Sequence, residues 1–240
     1  MRPAILASPA VSPAIRKLAD PRPATGLVLL LYGGRSHGRE PARPWRLAYR
    51  RMLPFGTALR RASRGRGLAV WLLRYRYRGW NGASRDPVPD AEWALDQARD
   101  RHPGVPVVLV GHSMGGRAAL HVAGDPSVVA VCALAPWITP ADPVGQLAGR
   151  SLLIAHGDLD RMTDPRASYR YAVQARKVTD RVGRLDVIGD GHAMLRRAGE
   201  WTDLVCRFVL GELGMRPADP EIEAAMVDGL RTPLGRAAPR

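Results

Sequence analysis

The sequence predicts an α/β fold, a mostly parallel sheet of about six to seven strands with helices on both faces. Three observations carry that prediction. Six apolar runs of strand length recur along the chain, each ended by glycine or proline. The runs are almost continuously apolar, as strands buried on both faces are, rather than alternating. Segments with helical spacing lie between several of them, and strands alternating with helices build a parallel sheet by right-handed crossovers.

The first run is "GLVLLLYGG" (Gly26 to Gly34). It is followed by "PWRLAYRRM", which spaces Trp45, Ala48, Tyr49 and Met52 on one helical face until Pro54 kinks or ends it. The second run is "GLAVWLLRYRYRG" (Gly67 to Gly79). The segment after it, "DAEWALDQARDRHPG", offers Asp90 as an N-cap and the stripe Ala91, Ala94, Leu95 and Ala98. The third, fourth and fifth runs are "VPVVLVG", "VVAVCALAP" and "SLLIAHG", starting at Val105, Val128 and Ser151. "DPRASYRYAVQARK" then reads as a helix. The sixth run (Arg181 to Gly191) is more polar and belongs nearer an edge, and "EWTDLVCRFVLGEL" gives an amphipathic helix on Trp201, Leu204, Val205 and Phe208.

The 240 residues, 46% of them hydrophobic, are enough for one large domain with a sizeable core. The expected division is an N-terminal arm over 1–24, a single domain over 25–213 and a C-terminal tail over 214–240. The arm is Pro- and Ala-rich without a sustained period, and the tail offers one short helix, "EIEAAMVDGL". No apolar run reaches the roughly 18 residues of a membrane-spanning helix. No secretory signal is evident, and Cys132 and Cys206 read as small buried hydrophobes, so a cytoplasmic location is expected. The net charge is +14. The arginines are scattered rather than gathered on one element, so a nucleic-acid partner is not expected.

The third run ends in Gly111-His112-Ser113-Met114-Gly115, which matches G-x-S-x-G between a strand and a helix. That spacing suits a strained turn, with small residues two positions either side so that strand and helix approach closely. The turn would lift the Ser113 hydroxyl above the sheet, and the Met114 N–H, at a helix start, would face developing negative charge. A serine nucleophile needs a base and an orienting acid. Asp158, Asp160 and Asp164 follow the fifth run, and His192 follows the sixth in the loop "GDGHAML". This is the order Ser, Asp, His, with each residue at the carboxyl end of a strand, where reactive groups collect in such sheets.

With these motifs, Gly26 to Leu213 resembles the α/β-hydrolase-fold serine hydrolases of the esterase and lipase superfamily. The resemblance implies Ser113 as nucleophile and His192, in Gly189-Asp190-Gly191-His192, as base. It places the acid at Asp160 within His156-Gly157-Asp158-Leu159-Asp160, with Asp158 as the alternative. It implies an oxyanion hole of the Gly34 and Met114 N–H groups, although Tyr32 stands where the family usually carries histidine. "YRGWNGAS" (Tyr77 to Ser84) resembles an Arg-Gly loop that packs near the site. His156 is expected to point away from the chemistry, and His112 to be committed to packing within the turn. No metal or other cofactor is called for.

The link Ala135 to Arg150 is only a loop, which implies little or no lid domain and an open site for a small-molecule ester. Trp80 and Trp137 follow strand ends and either line an apolar substrate pocket or pack in the core. Arg35 and Arg39 flank the first loop and either favour an anionic substrate or are simply solvated. The implied activity is hydrolysis of carboxylic esters or thioesters through an acyl-enzyme; the alternative is a hydrolase-fold binding or sensor protein with little turnover.

Overall fold

The computed structural model describes residues 11–230 and 232–234, so the outer ends of the expected arm and tail lie outside the described residues. One eight-stranded sheet runs in the order β1-β3-β2-β4-β5-β6-β7-β8. The six predicted strands are β2 (Gly26–Leu31), β3 (Leu68–Arg74), β4 (Val107–His112), β5 (Val128–Leu134), β6 (Ser151–Gly157) and β7 (Val182–Val187). All six are parallel to their neighbours within this set. Leu27 to Leu31 and Ala69 to Leu73 are buried without exception, because helices cover both faces.

Both edges come from segments expected to lie outside the sheet. Residues 14–19 of the expected arm form β1 (Ala14–Ala19), antiparallel to β3. Its Ile15 and Leu18 pack on the core, while Arg16 and Lys17 stay exposed, as charges on an edge strand do. In the expected tail, β8 (Thr232–Leu234) adds to β7, and Pro233 is tolerated because an edge strand need not donate on both sides. The short predicted tail helix is α7 (Pro220–Asp228), docked on β7 through buried Ile222, Ala225 and Met226. The tail is therefore part of the fold over these residues.

The helical segment after β2 breaks into α1 (Leu47–Arg50) and α2 (Leu53–Ala62). Pro54 does not simply end a helix; it sits in the first turn of a new one, where its missing N–H has no intrahelical partner anyway. Tyr49 and Met52 are buried as expected, but Trp45 is 65% exposed. Helix α3 (Pro87–Arg101) starts before Asp90, since Pro87 and Pro89 both fit its first turn. Asp90 is thus not the N-cap; it is buried and accepts from the Arg76 N–H at 2.8 Å. The remaining helices are α4 (Met114–His121), α5 (Pro165–Ala175, capped by Asp164) and α6 (Ala198–Glu212). Helix α2 packs against α6, and α3 against α4.

The chain connects β2 to β3 on one side, and the sheet then grows through β4 on the other. A reversal of this kind opens a crevice at the carboxyl ends of the central strands. Leu31 is in register with Gly111, so the segment after β2 meets the turn after β4. Between β5 and β6 lies a loop with one short turn (Gly145–Leu147) and no lid domain. No helix among the described residues is long and apolar enough to cross a membrane. Cys132 and Cys206 are free and buried, and burial pushes the Cys206 thiol up to about 11.

Candidate active site

Ser113 joins β4 to α4 with φ 54° and ψ −118°, a conformation that costs energy for any residue with a Cβ. Glycine at both flanks is a steric requirement. A Cβ on Gly111 would lie 2.7 Å from the Gly116 Cα, and one on Gly115 would lie 2.6 Å from the Tyr32 carbonyl oxygen. The turn is held by the Ser113 N–H donating to the Leu134 carbonyl at 3.0 Å. Ser113 itself is nearly buried, at 8% exposure.

The parallel ladders bring the ends of β6 and β7 beside this turn. His192 Nε2 stands 3.0 Å from Ser113 Oγ, and His192 Nδ1 stands 2.8 Å from Asp160 Oδ2. Asp160 also accepts at Oδ1 from the backbone N–H groups of Met162 (2.8 Å) and Thr163 (3.0 Å), and at Oδ2 from Thr163 Oγ1 at 2.7 Å. Burial alone would push the Asp160 carboxyl up. Hydrogen bonds from His156, His192 and Thr163 outweigh it and hold the group well below the usual carboxylate range. An ionised Asp160 accepts only, so it fixes the proton of His192 on Nδ1 and leaves Nε2 free to accept. Asp158 lies elsewhere: its Oδ1 accepts from the Gly189 N–H at 2.7 Å.

Two residues have environments that the sequence reading missed. His156 does not point away. It is fully buried, with Nε2 3.1 Å from Asp160 Oδ2 and Nδ1 2.9 Å from Ser168 Oγ. Behind Ser168 stands the buried Arg184, with Nε at 3.2 Å. The signal was present, since His156 precedes Asp160 by four residues within the acid loop. Asp190 is the second. Its carboxylate accepts from the Gly191 N–H (2.7 Å), the Arg197 N–H (3.0 Å) and Trp201 Nε1 (2.9 Å), tying the His192 loop to the start of α6.

His112 packs inside the turn as expected and does more besides. Its Nε2 donates to the His192 carbonyl at 3.0 Å, and the two imidazole rings lie 4.8 Å apart. Burial, together with the neighbouring His192 ring, pushes His112 down to about 3.

The first loop runs alongside. A Cβ on Gly33 would lie 3.2 Å from the Ser113 Cβ, so the loop backs directly onto the turn. A Cβ on Gly34 would collide with the Met114 side chain and the Arg78 carbonyl. Neither the Gly34 nor the Met114 N–H is taken up by a loop carbonyl or a side chain among the described residues. Tyr32 braces the loop from below: its hydroxyl accepts from the Tyr75 N–H at 3.2 Å, and its ring packs edge-on against Tyr49. The Arg-Gly loop clips on through Arg35 N–H to Arg78 C=O (3.0 Å) and Gly38 N–H to Asn81 Oδ1 (2.8 Å).

Trp80 and Trp137 do not face each other across an open pocket. They flank the guanidinium of the nearly buried Arg117, whose Cζ lies 4.2 Å and 4.7 Å from the two ring centres. Arg117 Nε donates to Asp142 Oδ1 at 2.8 Å, and His121 Nε2 meets the same oxygen at 2.7 Å. Of the two readings of these tryptophans, packing describes their contacts.

A family model described as "Alpha/beta hydrolase family" matches residues 9–238. No curated protein matches the sequence. Among solved structures, an alpha-beta serine hydrolase homologue from Coxiella burnetii is 18% identical, with a TM-score of 0.59 over 82% of this chain and 90% of its own. A monoacylglycerol lipase from Paleococcus ferrophilus is 16% identical, with a TM-score of 0.62 over 84% of this chain and 99% of its own. XC6422 from Xanthomonas campestris, described as an a/b serine hydrolase without lid, is 18% identical, with a TM-score of 0.55 over 87% and 90%. At these identities the likenesses concern the fold.

Proposed function

The chain belongs to the α/β hydrolase family, and on that premise we propose that it is a serine hydrolase cleaving small-molecule carboxylic esters or thioesters through an acyl-enzyme. The observation that supports this reading most is the unbroken line from Ser113 Oγ to His192 Nε2 (3.0 Å) and from His192 Nδ1 to Asp160 Oδ2 (2.8 Å).

Ser113 Oγ attacks the ester carbonyl while its proton passes to His192 Nε2. The imidazolium so formed is stabilised by the buried Asp160 carboxylate, which also sets the plane of the ring. The carbonyl oxygen becomes an oxyanion and takes hydrogen bonds from the Gly34 and Met114 N–H groups. As the tetrahedral species collapses, His192 gives the proton from Nε2 to the departing alcohol or thiol. Water then repeats the sequence: His192 takes its proton, the hydroxide oxygen bonds to the acyl carbon, and the proton returns to Ser113 Oγ as the acid leaves.

A fluorophosphonate probe tests this directly. Labelling of the wild-type protein at Ser113, absent in Ser113→Ala, together with hydrolysis of short-chain 4-nitrophenyl esters, is the expected result. Neither labelling nor hydrolysis of any short-chain ester would overturn the reading.

A further inference from the structure

The loop that backs onto Ser113 also forms one wall of a half-open cleft of about 450 Å³. Gly33 and Gly34, which pack against Ser113 and Met114, line it together with Tyr32, and the exposed side chains of Trp45 and Leu47 are among the residues that complete it. Four guanidinium-bearing residues line the same cleft: Arg35, Arg43, Arg46 and Arg78. Arg78 has the Glu40 carboxylate 4.0 Å away. Arg35, Arg43 and Arg46 are exposed, and none is in an ion pair with a carboxylate among the described residues. Arg39, the other arginine of this loop, is engaged elsewhere, with Ser84 Oγ at 3.1 Å and Asp86 Oδ2 at 4.0 Å.

Among the described residues some arginines are ion-paired and others, such as Arg60, Arg61 and Arg64, are not; what marks this cleft is that four arginines line one concave surface. Arg76, Arg101, Arg117, Arg181, Arg184 and Arg207 each meet an acidic side chain. Guanidinium groups stay charged at any working pH and present a planar fork that matches the oxygens of a carboxylate or phosphate. Three of them on one concave surface, none in an ion pair among the described residues, give the cleft a positive potential. Trp45 and Leu47 add apolar surface to the cleft, and the Arg43 Cζ lies 5.5 Å from the Trp45 ring centre.

We propose that this cleft is an anion subsite, so that the preferred esters carry a carboxylate or phosphate on the arm that extends past Gly33 and Gly34 from the scissile carbonyl. The proposal rests on the serine hydrolase reading for the position of that carbonyl. Arg35, Arg43 and Arg46 are the specificity-determining residues, and the chemistry they recognise is an oxyanion with two or more coplanar or tetrahedral oxygens.

Paired soluble substrates test it, all used as monomers. 4-Nitrophenyl valerate against the 4-nitrophenyl monoester of glutarate places the charge on the acyl side. Phenyl butyrate against its 4-carboxy and 4-phosphooxy derivatives places it on the alcohol side and separates carboxylate from phosphate. The expected result is a kcat/KM preference of about tenfold or more for the charged member of at least one pair, weakened by high salt. Replacing Arg35, Arg43 and Arg46 together by glutamine is expected to bring that ratio close to one; because the ratio is taken within one variant, a general loss of activity cancels. No preference in the wild type, or a preference the triple variant keeps, overturns the proposal. Calorimetric titration with glutarate and with phenyl phosphate gives a readout that needs no turnover. If no ester is cleaved, saturable binding lost in the triple variant supports the subsite, and absence of saturable binding removes it.

Discussion

His156 and Asp160 form a hydrogen bond from Nε2 to Oδ2 at 3.1 Å, with both side chains fully shut off from solvent. The same Asp160 oxygen faces His192 Nδ1. One carboxylate oxygen therefore sits between two imidazoles, and its position depends on the one that does not face Ser113. His156→Leu is expected to lower kcat by about 10- to 100-fold with KM little changed, since a small displacement of Asp160 tilts His192. Loss of that donor also leaves the Asp160 carboxylate a stronger acceptor toward the imidazolium formed on His192, so the acid limb of the kcat/KM profile moves to higher pH. His156→Gln, which keeps a donor, recovers part of both. A purely structural role would change stability and leave the pH limb in place.

Asp160 and Asp158 are two residues apart in the chain, yet only Asp160 reaches His192. Asp160→Asn is expected to cost about 10,000-fold in kcat, because the amide can donate to Nδ1 and favours the wrong tautomer. Asp158→Asn is expected to cost less than about tenfold, through the Gly189 contact alone. Steady-state kinetics on a 4-nitrophenyl ester decides it, and the reverse ranking would move the acid to Asp158.

His112 makes stability depend on pH. In the folded chain it is pushed down to about 3 from an ordinary value of 6.5. Below pH 6.5 the unfolded chain takes up a proton that the folded chain refuses, so stability falls as pH drops from 6.5 toward 3. For this one site the slope is at most about 1.4 kcal/mol per pH unit. Urea unfolding of the wild type and His112→Gln across that window is expected to show the wild-type curve steeper by about one proton. Parallel curves would mean that His112 stays accessible to protons when folded.

The pair of Arg117 and Asp142 is nearly buried, with side chains 10% and 2% exposed. Asp142→Asn leaves a guanidinium between two indoles without its counter-charge, and a loss of about 3 kcal/mol in stability is expected. The double replacement Arg117→Met with Asp142→Leu is expected to recover much of that loss, because an apolar pair suits the Trp80 and Trp137 faces. Thermal unfolding reads both; a single variant as stable as the wild type would show that the pair contributes little.

Much of the fold was legible because its signals are local. The apolar runs of β2 to β7 needed no partner to be recognised as strands buried on two faces. The edges were less legible. Strand β1 carries Arg16 and Lys17 at its centre, and β8 is three residues long with a proline in the middle. Such segments gain their conformation from an existing sheet edge rather than from their own pattern. Two helix starts differ from the local pattern: Pro54, which reads as a kink or an end, lies in the first turn of α2, and α3 opens at Pro87 rather than after an Asp90 cap.

The sequence by itself determined the order of the candidate site residues: Ser113 in a glycine-flanked turn, acidic residues after the fifth apolar run, His192 after the sixth. These are covalent neighbours of strand ends, so the strand pattern carries them. Only the tertiary structure decided which carboxylate meets His192, what holds it there, and which arginines gather in one cleft outside any ion pair among the described residues. His156 faces Asp160 because a turn closes after β6, Arg117 is clamped by indoles from two other strand ends, and Arg35, Arg43 and Arg46 line one cleft. Those relationships depend on side-chain direction and on segments brought together by sheet register, neither of which is encoded in any single stretch of chain.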